Sequence, residues 1–200
     1  MPKLQTYEDL KLGSNDKLYQ ITILGAHDCG KTSVVNSFVS DKKPDQEESK
    51  IKTTTKTTIK IMNEKDKNVY LRIFDPSGDK NFTRLRDLTI PVSEYVILMY
   101  AVDDREGFYE ARQIFKDVVK RRGKSGVKVV ACCTKVDKSA TTSLDKVLPE
   151  EGKELLEGLN GLGFVETSAK DNLNIEKTFD LIIYDIVSKE TPKKSGFLCC

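Results

Sequence analysis

The stretch GAHDCGKTS, Gly25 to Ser33, decides the fold of this chain. It matches the phosphate-loop pattern GxxxxGK[ST]. A strand-like segment, Tyr19–Leu24, precedes it, and Val34–Ser40, which is apolar at helical spacing, follows it. A strand, a glycine loop and a helix in this order place backbone amides around a phosphate at the N-terminus of the helix. The sequence therefore predicts a phosphate-binding loop inside an α/β domain.

Two residues near the end of this loop carry the chemistry of the motif. Lys31 is expected to reach the β- and γ-phosphates, and Thr32 is expected to offer its hydroxyl to Mg²⁺, which prefers oxygen ligands. The remaining predicted phosphate contacts are His27, Asp28, Cys29, Gly30 and Ser33. The alternative is a glycine-containing turn between a strand and a helix, with a chance lysine.

Length, charge and cysteine content restrict the class of protein. The 200 residues suit one domain with a short tail, and 33 basic residues nearly balance 31 acidic ones, so charge gives no support for a nucleic-acid partner. The N-terminus has no apolar signal region, and the longest apolar run, Tyr95–Val102, is too short to span a bilayer. A cytosolic protein is therefore expected. Five cysteines without a CxxC pair, and a single histidine, disfavour a disulfide framework and a zinc site.

The rest of the chain alternates strands with helices. A hairpin over Thr57–Met62 and Val69–Phe74, turning at NEKDKN, is followed by further predicted strands in EYVILMYAV, VKVVACC and FVE. Helices are predicted from about Gly107 to Arg121, from near Pro149, and from Asn174 to Ser188. This order predicts a largely parallel sheet with helices on both faces and ligands at the carboxyl ends of its strands. We expect a flexible lead-in over residues 1–17, one domain over 18–188 and a tail over 189–200.

Polar residues collect where the predicted strands end. Asp75 follows a buried strand and can hold a water of the metal, while Gly78 in DPSG offers an amide to the γ-phosphate. Asp137 in TKVD can accept hydrogen bonds from the ring N–H and the exocyclic amine of guanine, which adenine does not present together. Lys135 can lay its methylene stem along the base. The segment Ser168-Ala169-Lys170 adds an amide toward the guanine carbonyl, so the pattern favours GTP over ATP.

GAHDCGKT, DPSGD, TKVD and ETSAK, in this order and at similar spacing, resemble the small GTPases of the Ras superfamily over roughly residues 18–187. Within the superfamily the chain is most similar to Rab proteins. Phe82 in GDKNF stands where Rab proteins have the phenylalanine of GQERF, and the chain ends in two cysteines. Thr134 in TKVD, where asparagine is usual, resembles Rho proteins instead.

This resemblance implies a fold, ligands and partners. The fold is a P-loop G domain with a six-stranded, mostly parallel sheet, one antiparallel edge strand and about five helices on both faces. The ligands are GTP, GDP and Mg²⁺, and the activity is GTP hydrolysis. Two switch loops, near Asp41–Thr55 and Pro76–Thr89, would bind exchange factors, GTPase-activating factors and effectors. The switch threonine that closes on Mg²⁺ and the γ-phosphate falls on Thr53 by counting back from Asp75, with Thr54 and Thr55 as alternatives.

The chain departs from the family pattern where hydrolysis takes place. Lys31, Thr53, Gly78 and Asp79 are the predicted catalytic residues, but Asp79 replaces the glutamine that orients the attacking water. An ionised aspartate only accepts hydrogen bonds and would repel the γ-phosphate, so slow hydrolysis is expected. The ring of His27 would crowd the space that a partner's arginine finger and the attacking water occupy in this family. The alternative is that His27 points to solvent. No aromatic residue lies between Phe38 and Tyr70, so the aromatic that commonly packs on the guanine edge in this family is missing, and faster nucleotide exchange than in the family is expected.

The two terminal cysteines suggest a lipid anchor. In this family Cys199 and Cys200 at the end of the chain imply double geranylgeranylation, and Lys189, Lys193 and Lys194 would add attraction to anionic lipid. The tail is short for a Rab protein, so unmodified thiols are the alternative.

The predicted function is a monomeric Rab-like switch in vesicle or membrane trafficking that cycles between the cytoplasm and the cytoplasmic face of an intracellular membrane. A scaffold that binds guanine nucleotide without useful turnover is the second hypothesis, and an ATP-using enzyme the third.

Overall fold

Six strands form a single sheet in a computed structural model that describes residues 17–40, 55–64, 67–76, 88–123, 126–139, 146–157 and 161–190. The strands are β1 Leu18–Gly25, β2 Thr55–Glu64, β3 Lys67–Pro76, β4 Tyr95–Ala101, β5 Lys128–Thr134 and β6 Gly161–Glu166. Their order across the sheet is β2-β3-β1-β4-β5-β6. Only β2 runs antiparallel to its neighbour, and it lies at the edge. The predicted sheet is therefore confirmed.

Helices cover both faces of this sheet. They are α1 Lys31–Ser40, α2 Arg105–Arg122, α3 Pro149–Glu154 and α4 Ile175–Glu190. α1 and α4 pack on one face, where the rings of Phe38 and Phe179 stack with their centroids 3.7 Å apart. α2 packs on the other face, where Phe108 meets Tyr100 edge-on. All seven residues of β4 are buried because this central parallel strand is covered on both sides. Within the described ranges, no helix is both long and apolar enough to cross a membrane.

Several elements extend beyond their predicted ends. The predicted turn NEKDKN is mostly strand, because Asn63 pairs with Asn68 and Glu64 pairs with Lys67. Ladder hydrogen bonds use the backbone, so polar side chains do not prevent strand pairing at a sheet edge. α2 begins at Arg105, two residues before the predicted start, because the Asp104 side chain accepts a hydrogen bond from the backbone N–H of Gly107 and caps the helix.

Asp185 of α4 joins three elements at the amino ends of the strands. Its carboxylate accepts hydrogen bonds from the Tyr95 hydroxyl and the Lys189 ammonium, both at 2.8 Å, and from the Lys128 ammonium. The side chain is only 13% exposed. Burial alone would raise the pKa of Asp185, but the hydrogen bonds from Lys128, Lys189 and Tyr95 outweigh it and hold the pKa below its usual value. The cluster therefore stabilises the docking of α4 on the sheet.

Replacing this carboxylate gives a stability prediction. Asp185→Asn is expected to lower the free energy of unfolding by about 2 kcal/mol at pH 7, because the two lysines lose their anionic partner. The pKa of Asp185 is lower in the folded protein than the unfolded value of about 3.9, so its stabilisation is present above that value and is lost as the pH falls through the folded pKa. Urea unfolding of both proteins from neutral to acidic pH measures the difference, which should shrink below about pH 4.

Asp117→Asn, on the exposed face of α2, is the matched control, since its carboxylate has only a 3.5 Å contact with Gln113. Its effect should stay within about 0.5 kcal/mol. A loss for Asp185→Asn that is the same at every pH would contradict the proposed role of its charge.

Candidate nucleotide-binding site

Lys31 is the first residue of α1, and its side chain contacts the turn between β1 and α1. Its ammonium donates to the backbone carbonyls of Gly25, at 3.1 Å, and Ala26, and it lies 3.7 Å from the Cys29 sulfur. The residue is only 7% exposed. Among the residues that the structure describes, no carboxylate pairs with this buried cation. Burying a charge without an opposite charge is costly, so this site suits an anionic ligand such as a phosphate.

The two glycines of the phosphate loop (Gly25–Ser33) are needed for different reasons. A Cβ atom at Gly25 would lie 2.1 Å from the carbonyl oxygen of Met99 on the neighbouring strand β4. At Gly30, where φ is +90°, an added Cβ would make an ordinary contact with the Thr134 hydroxyl at 3.8 Å, but the conformation is one that side chains disfavour. Asp28 is also left-handed, at φ +55°. Close strand packing thus requires the first glycine, whose φ of +153° also disfavours a side chain, and backbone conformation alone requires the second.

The two metal ligands predicted within the described residues lie together. The Thr32 hydroxyl donates a hydrogen bond of 2.6 Å to the carboxylate of Asp75, although the two are 43 positions apart in the sequence. Thr32 lies in the first turn of α1, and Asp75 is buried near the end of β3. A hydroxyl next to a carboxylate is a set of hard oxygen donors, which fits Mg²⁺.

Several predicted site residues lie outside the described ranges. They are Thr53, Thr54 and Phe82 of the switch loops, the catalytic candidates Gly78 and Asp79, and the terminal Cys199 and Cys200. Thr55, the third candidate for the switch threonine, is the first residue of β2 and pairs with Pro76.

The predicted base-binding residues also come together. The hydroxyl of Ser168 donates to the carboxylate of Asp137 at 2.8 Å and accepts from the backbone N–H of Asp171 at 3.1 Å. Ser168 is fully buried, whereas Asp137 is exposed, so a buried hydroxyl orients an accessible carboxylate. Lys135 is half-buried and left-handed, at φ +57°. Ala169 is half-buried and Lys170 is exposed beside them.

Thr134 connects this cluster to the phosphate loop. Its hydroxyl lies within hydrogen-bonding distance of two backbone carbonyls, that of Cys29 in the phosphate loop and that of Tyr100 at the end of β4. The backbone N–H of Val136 donates to the carbonyl of Thr167 at 3.2 Å. The phosphate-binding and base-binding segments therefore form one continuous edge at the carboxyl ends of β1, β3, β5 and β6.

One connection in this edge is absent from the sequence prediction. The hydroxyl of Ser37 on α1 donates to the Asn172 side chain at 2.9 Å, which ties α1 to the loop that follows β6. Asn172 is left-handed, at φ +54°. Two asparagines in the run DNLN are the available sequence signal, since asparagine tolerates left-handed turns better than most residues.

His27 and Cys29 differ sharply in exposure. The imidazole of His27 is 65% exposed and its Nδ1 lies 3.1 Å from the Asp28 carboxylate, so the ring faces solvent in this arrangement. Cys29 is buried, and burial raises the pKa of its thiol more than the neighbouring Lys31 lowers it. The thiol is therefore protonated at neutral pH and is a poor nucleophile.

A comparison with known families shows which family the chain belongs to. The model of the Ras family matches residues 20–188. The chain belongs to the Ras superfamily of small GTPases. Such a GTPase is a GTP-binding switch that hydrolyses GTP; the superfamily binds guanine nucleotide, usually with Mg²⁺, together with regulators and effectors. The predicted family and activity are thus confirmed.

Individual relatives come from several branches of the superfamily. The GTPase is 31% identical to GTP-binding protein Rit2 of Mus musculus over 173 residues, which cover 86% of this chain and 76% of the relative. It is 26% identical to Ras-related protein Rab-13 of Mesocricetus auratus over 181 residues, 90% of this chain and 86% of the relative. Ras-related protein rapC of Dictyostelium discoideum is 29% identical, over 86% of this chain and 61% of the relative. The similarity to Rab proteins is therefore supported alongside similarity to other branches.

Proposed function

We propose that this GTPase is a Rab-like switch in vesicle or membrane trafficking that binds guanine nucleotide tightly and hydrolyses GTP slowly. The main support for the binding site is the continuous edge from the buried ammonium of Lys31 to the oriented carboxylate of Asp137, connected through Thr134. The support for slow hydrolysis is the aspartate at position 79.

The phosphate end uses the first turn of α1. Lys31 binds the β- and γ-phosphates, the loop residues from His27 to Ser33 surround them, and Gly78 donates its amide to the γ-phosphate. Thr32 and Thr53 would hold Mg²⁺, and Asp75 would hold a water of the metal. When bound, Mg²⁺ would supply positive charge beside the phosphates.

The base end uses the two segments that follow β5 and β6. Asp137 accepts from the ring N–H and the exocyclic amine of guanine, while the buried hydroxyl of Ser168 keeps its carboxylate in place. Lys135 packs along one face of the base, and the backbone at Ala169 and Lys170 meets the guanine carbonyl. Adenine lacks this set of donors and acceptors, so GTP is preferred to ATP.

Slow hydrolysis gives the decisive prediction. In a single-turnover assay, Asp79→Gln is expected to raise the rate of GTP hydrolysis about tenfold or more, because a glutamine amide can orient the attacking water. Asp79→Asn is the matched variant. It removes the negative charge as glutamine does, but its side chain is one methylene group shorter than that of glutamine. A gain with Gln alone points to water positioning, whereas equal gains with both point to relief of repulsion at the γ-phosphate.

A scaffold that binds nucleotide without useful turnover is the competing function. It predicts no gain from either substitution at position 79. Identification of the nucleotide that co-purifies with the protein addresses the third hypothesis, because an ATP-using enzyme would carry ATP or ADP instead of GTP or GDP.

Membrane attachment is the remaining part of the proposal. The C-terminal tail, predicted over residues 189–200, would tether the domain, predicted over residues 18–188, to the membrane. Geranylgeranyl groups on Cys199 and Cys200 would hold the monomer on the cytoplasmic face of an intracellular membrane, because two chains give lasting attachment where one is marginal. Lysines in the tail would add attraction to anionic lipid.

Intact-protein mass spectrometry on material from eukaryotic cells tests the anchor. We expect a mass increase corresponding to two geranylgeranyl groups, and none for Cys199→Ser/Cys200→Ser. The double variant should also move from the membrane fraction to the soluble fraction. Unmodified terminal cysteines in the wild-type chain would refute the anchor while leaving the nucleotide site unaffected.

A further inference from the structure

A cleft with a volume of about 540 Å³ has two walls. One wall is α2, and the other is formed by α3 together with the turn that follows it. Its floor is apolar, since Phe108, Phe115 and Leu155 are buried side chains of the core on this face of the sheet. Tyr109 lines the same cleft and is half exposed. None of the described residues assigned to nucleotide or metal lines this space, so it is separate from the described part of the candidate nucleotide-binding site.

The two walls of the cleft carry opposite charges. Arg112, Lys116 and Lys120 project from α2 at intervals of four, so they follow one another along one side of the helix. The facing wall carries Glu154 and Glu157, with Glu151 at the end where it pairs with Arg105. Within the described ranges, no ion pair joins the three cationic residues of α2 to Glu154 or Glu157. All five side chains are exposed and are therefore available to a ligand.

The cleft runs beside α2. Its lining runs along α2 from Phe108 to Lys120, which at the rise of an α-helix is about 18 Å, or roughly three turns. Each turn of α2 over this length presents about one cationic side chain. A compact molecule would contact only part of such a groove, whereas an amphipathic helix can place an apolar edge along its whole length.

We propose that this cleft binds a helix of a partner protein whose apolar edge is flanked by acidic residues on the side facing α2 and by basic residues on the side facing α3. The apolar edge would cover Phe115, Leu155 and the ring of Tyr109. A helix with flanks of a single sign would be attracted by one wall and repelled by the other. The mixed flanks are therefore the chemical feature that the cleft selects.

Fluorescence anisotropy with synthetic peptides tests the proposal on the full chain loaded with GDP. The probe is a fluorescein-labelled helix of roughly 18 residues with leucines along one edge, glutamates on one flank and lysines on the other. Two comparison peptides keep the leucine edge but carry only glutamates or only lysines. The mixed peptide is expected to bind about tenfold more tightly than either, as follows from several exposed ion pairs of modest strength.

Charge reversal on the protein provides the second arm. The triple variant Arg112→Glu/Lys116→Glu/Lys120→Glu should lose preference for the mixed peptide and gain preference for the all-lysine peptide. Lys153→Glu is the matched control, because Lys153 is exposed on α3 but does not line the cleft, and it should leave the order of affinities unchanged. Retained GDP content shows that the variants are folded.

Three outcomes would overturn the proposal. One is equal binding of all three peptides, which indicates unselective apolar contact. Another is a triple variant with unchanged preference. The third is concentration-dependent dimerisation of the wild-type chain that the triple variant abolishes, because the cleft would then be occupied by a second copy of the protein.

Discussion

The Asp137→Asn variant is expected to bind GTP on the order of 100-fold less tightly than the wild-type protein, and to bind xanthosine triphosphate more tightly than the wild type does. The carboxylate accepts two hydrogen bonds from guanine, whereas the asparagine amide offers one acceptor and one donor. Its N–H₂ group would face the exocyclic amine of guanine, donor against donor. Xanthine carries a carbonyl at that position, so the amide and the base become complementary again.

Competition binding with GTP, XTP and ATP on nucleotide-free protein measures this change. Asp171→Asn is the matched control, because Asp171 also lies beside Ser168, at 3.2 Å from its hydroxyl, but has no assigned role toward the base. It should change GTP affinity only slightly. A loss of GTP binding by Asp137→Asn without any gain for XTP would show that Asp137 supports the loop but does not read the base.

The Gly25→Ala variant is expected to lower the free energy of unfolding by about 3 kcal/mol. The added Cβ would lie 2.1 Å from the carbonyl oxygen of Met99 and 2.9 Å from the Cys29 sulfur. The first of these atoms belongs to the backbone of β4, which is paired with β1, so relief requires the two strands to separate. Since the phosphate loop begins at this residue, nucleotide affinity should fall in the same variant.

Urea unfolding in the presence of GDP measures this loss. Gly123→Ala at the end of α2 is the control, because its φ of +72°, like the φ of +153° at Gly25, is unfavourable for alanine, but the described residues beyond its chain neighbours place no atom within 4 Å of the added Cβ. Its cost should be about 1 kcal/mol. Equal costs at the two positions would mean that backbone conformation, rather than the contact with Met99, requires glycine at position 25.

The sequence predicts the sheet well because its central strands are continuous apolar runs. All seven residues of β4 are apolar and buried. β5 likewise lies in the apolar run VKVVACC and the threonine after it. Such continuous runs are typical of parallel strands that are covered on both faces. Strand ends are harder to predict from polarity. The turn NEKDKN illustrates this, since four of its polar residues, Asn63, Glu64, Lys67 and Asn68, continue the ladder of the hairpin.

For the candidate site, the sequence predicts which residues take part, but it does not predict their contacts with one another. Motif spacing predicts that Asp137 and Ser168 lie at the same edge. Only the folded chain shows that the hydroxyl of Ser168 orients the carboxylate of Asp137. The same holds for the cleft beside α2. The spacing of its cationic residues is visible in the sequence, but their position opposite Glu154 and Glu157 depends on how α2 and α3 pack on the sheet.

The contact of Thr134 has a consequence for how the two ends of the site communicate. A hydroxyl carries one proton, and here two carbonyl oxygens, those of Cys29 and Tyr100, lie within its reach. It can therefore satisfy only one of them at a time, whereas an asparagine in its place would bring two amide protons. The proton that ties the phosphate loop to the base loop is thus shared with β4. When the hydroxyl turns toward Tyr100, this tie is lost, and the hydrogen bond from Ser37 to Asn172 is then the described side-chain link between α1 and the loop after β6.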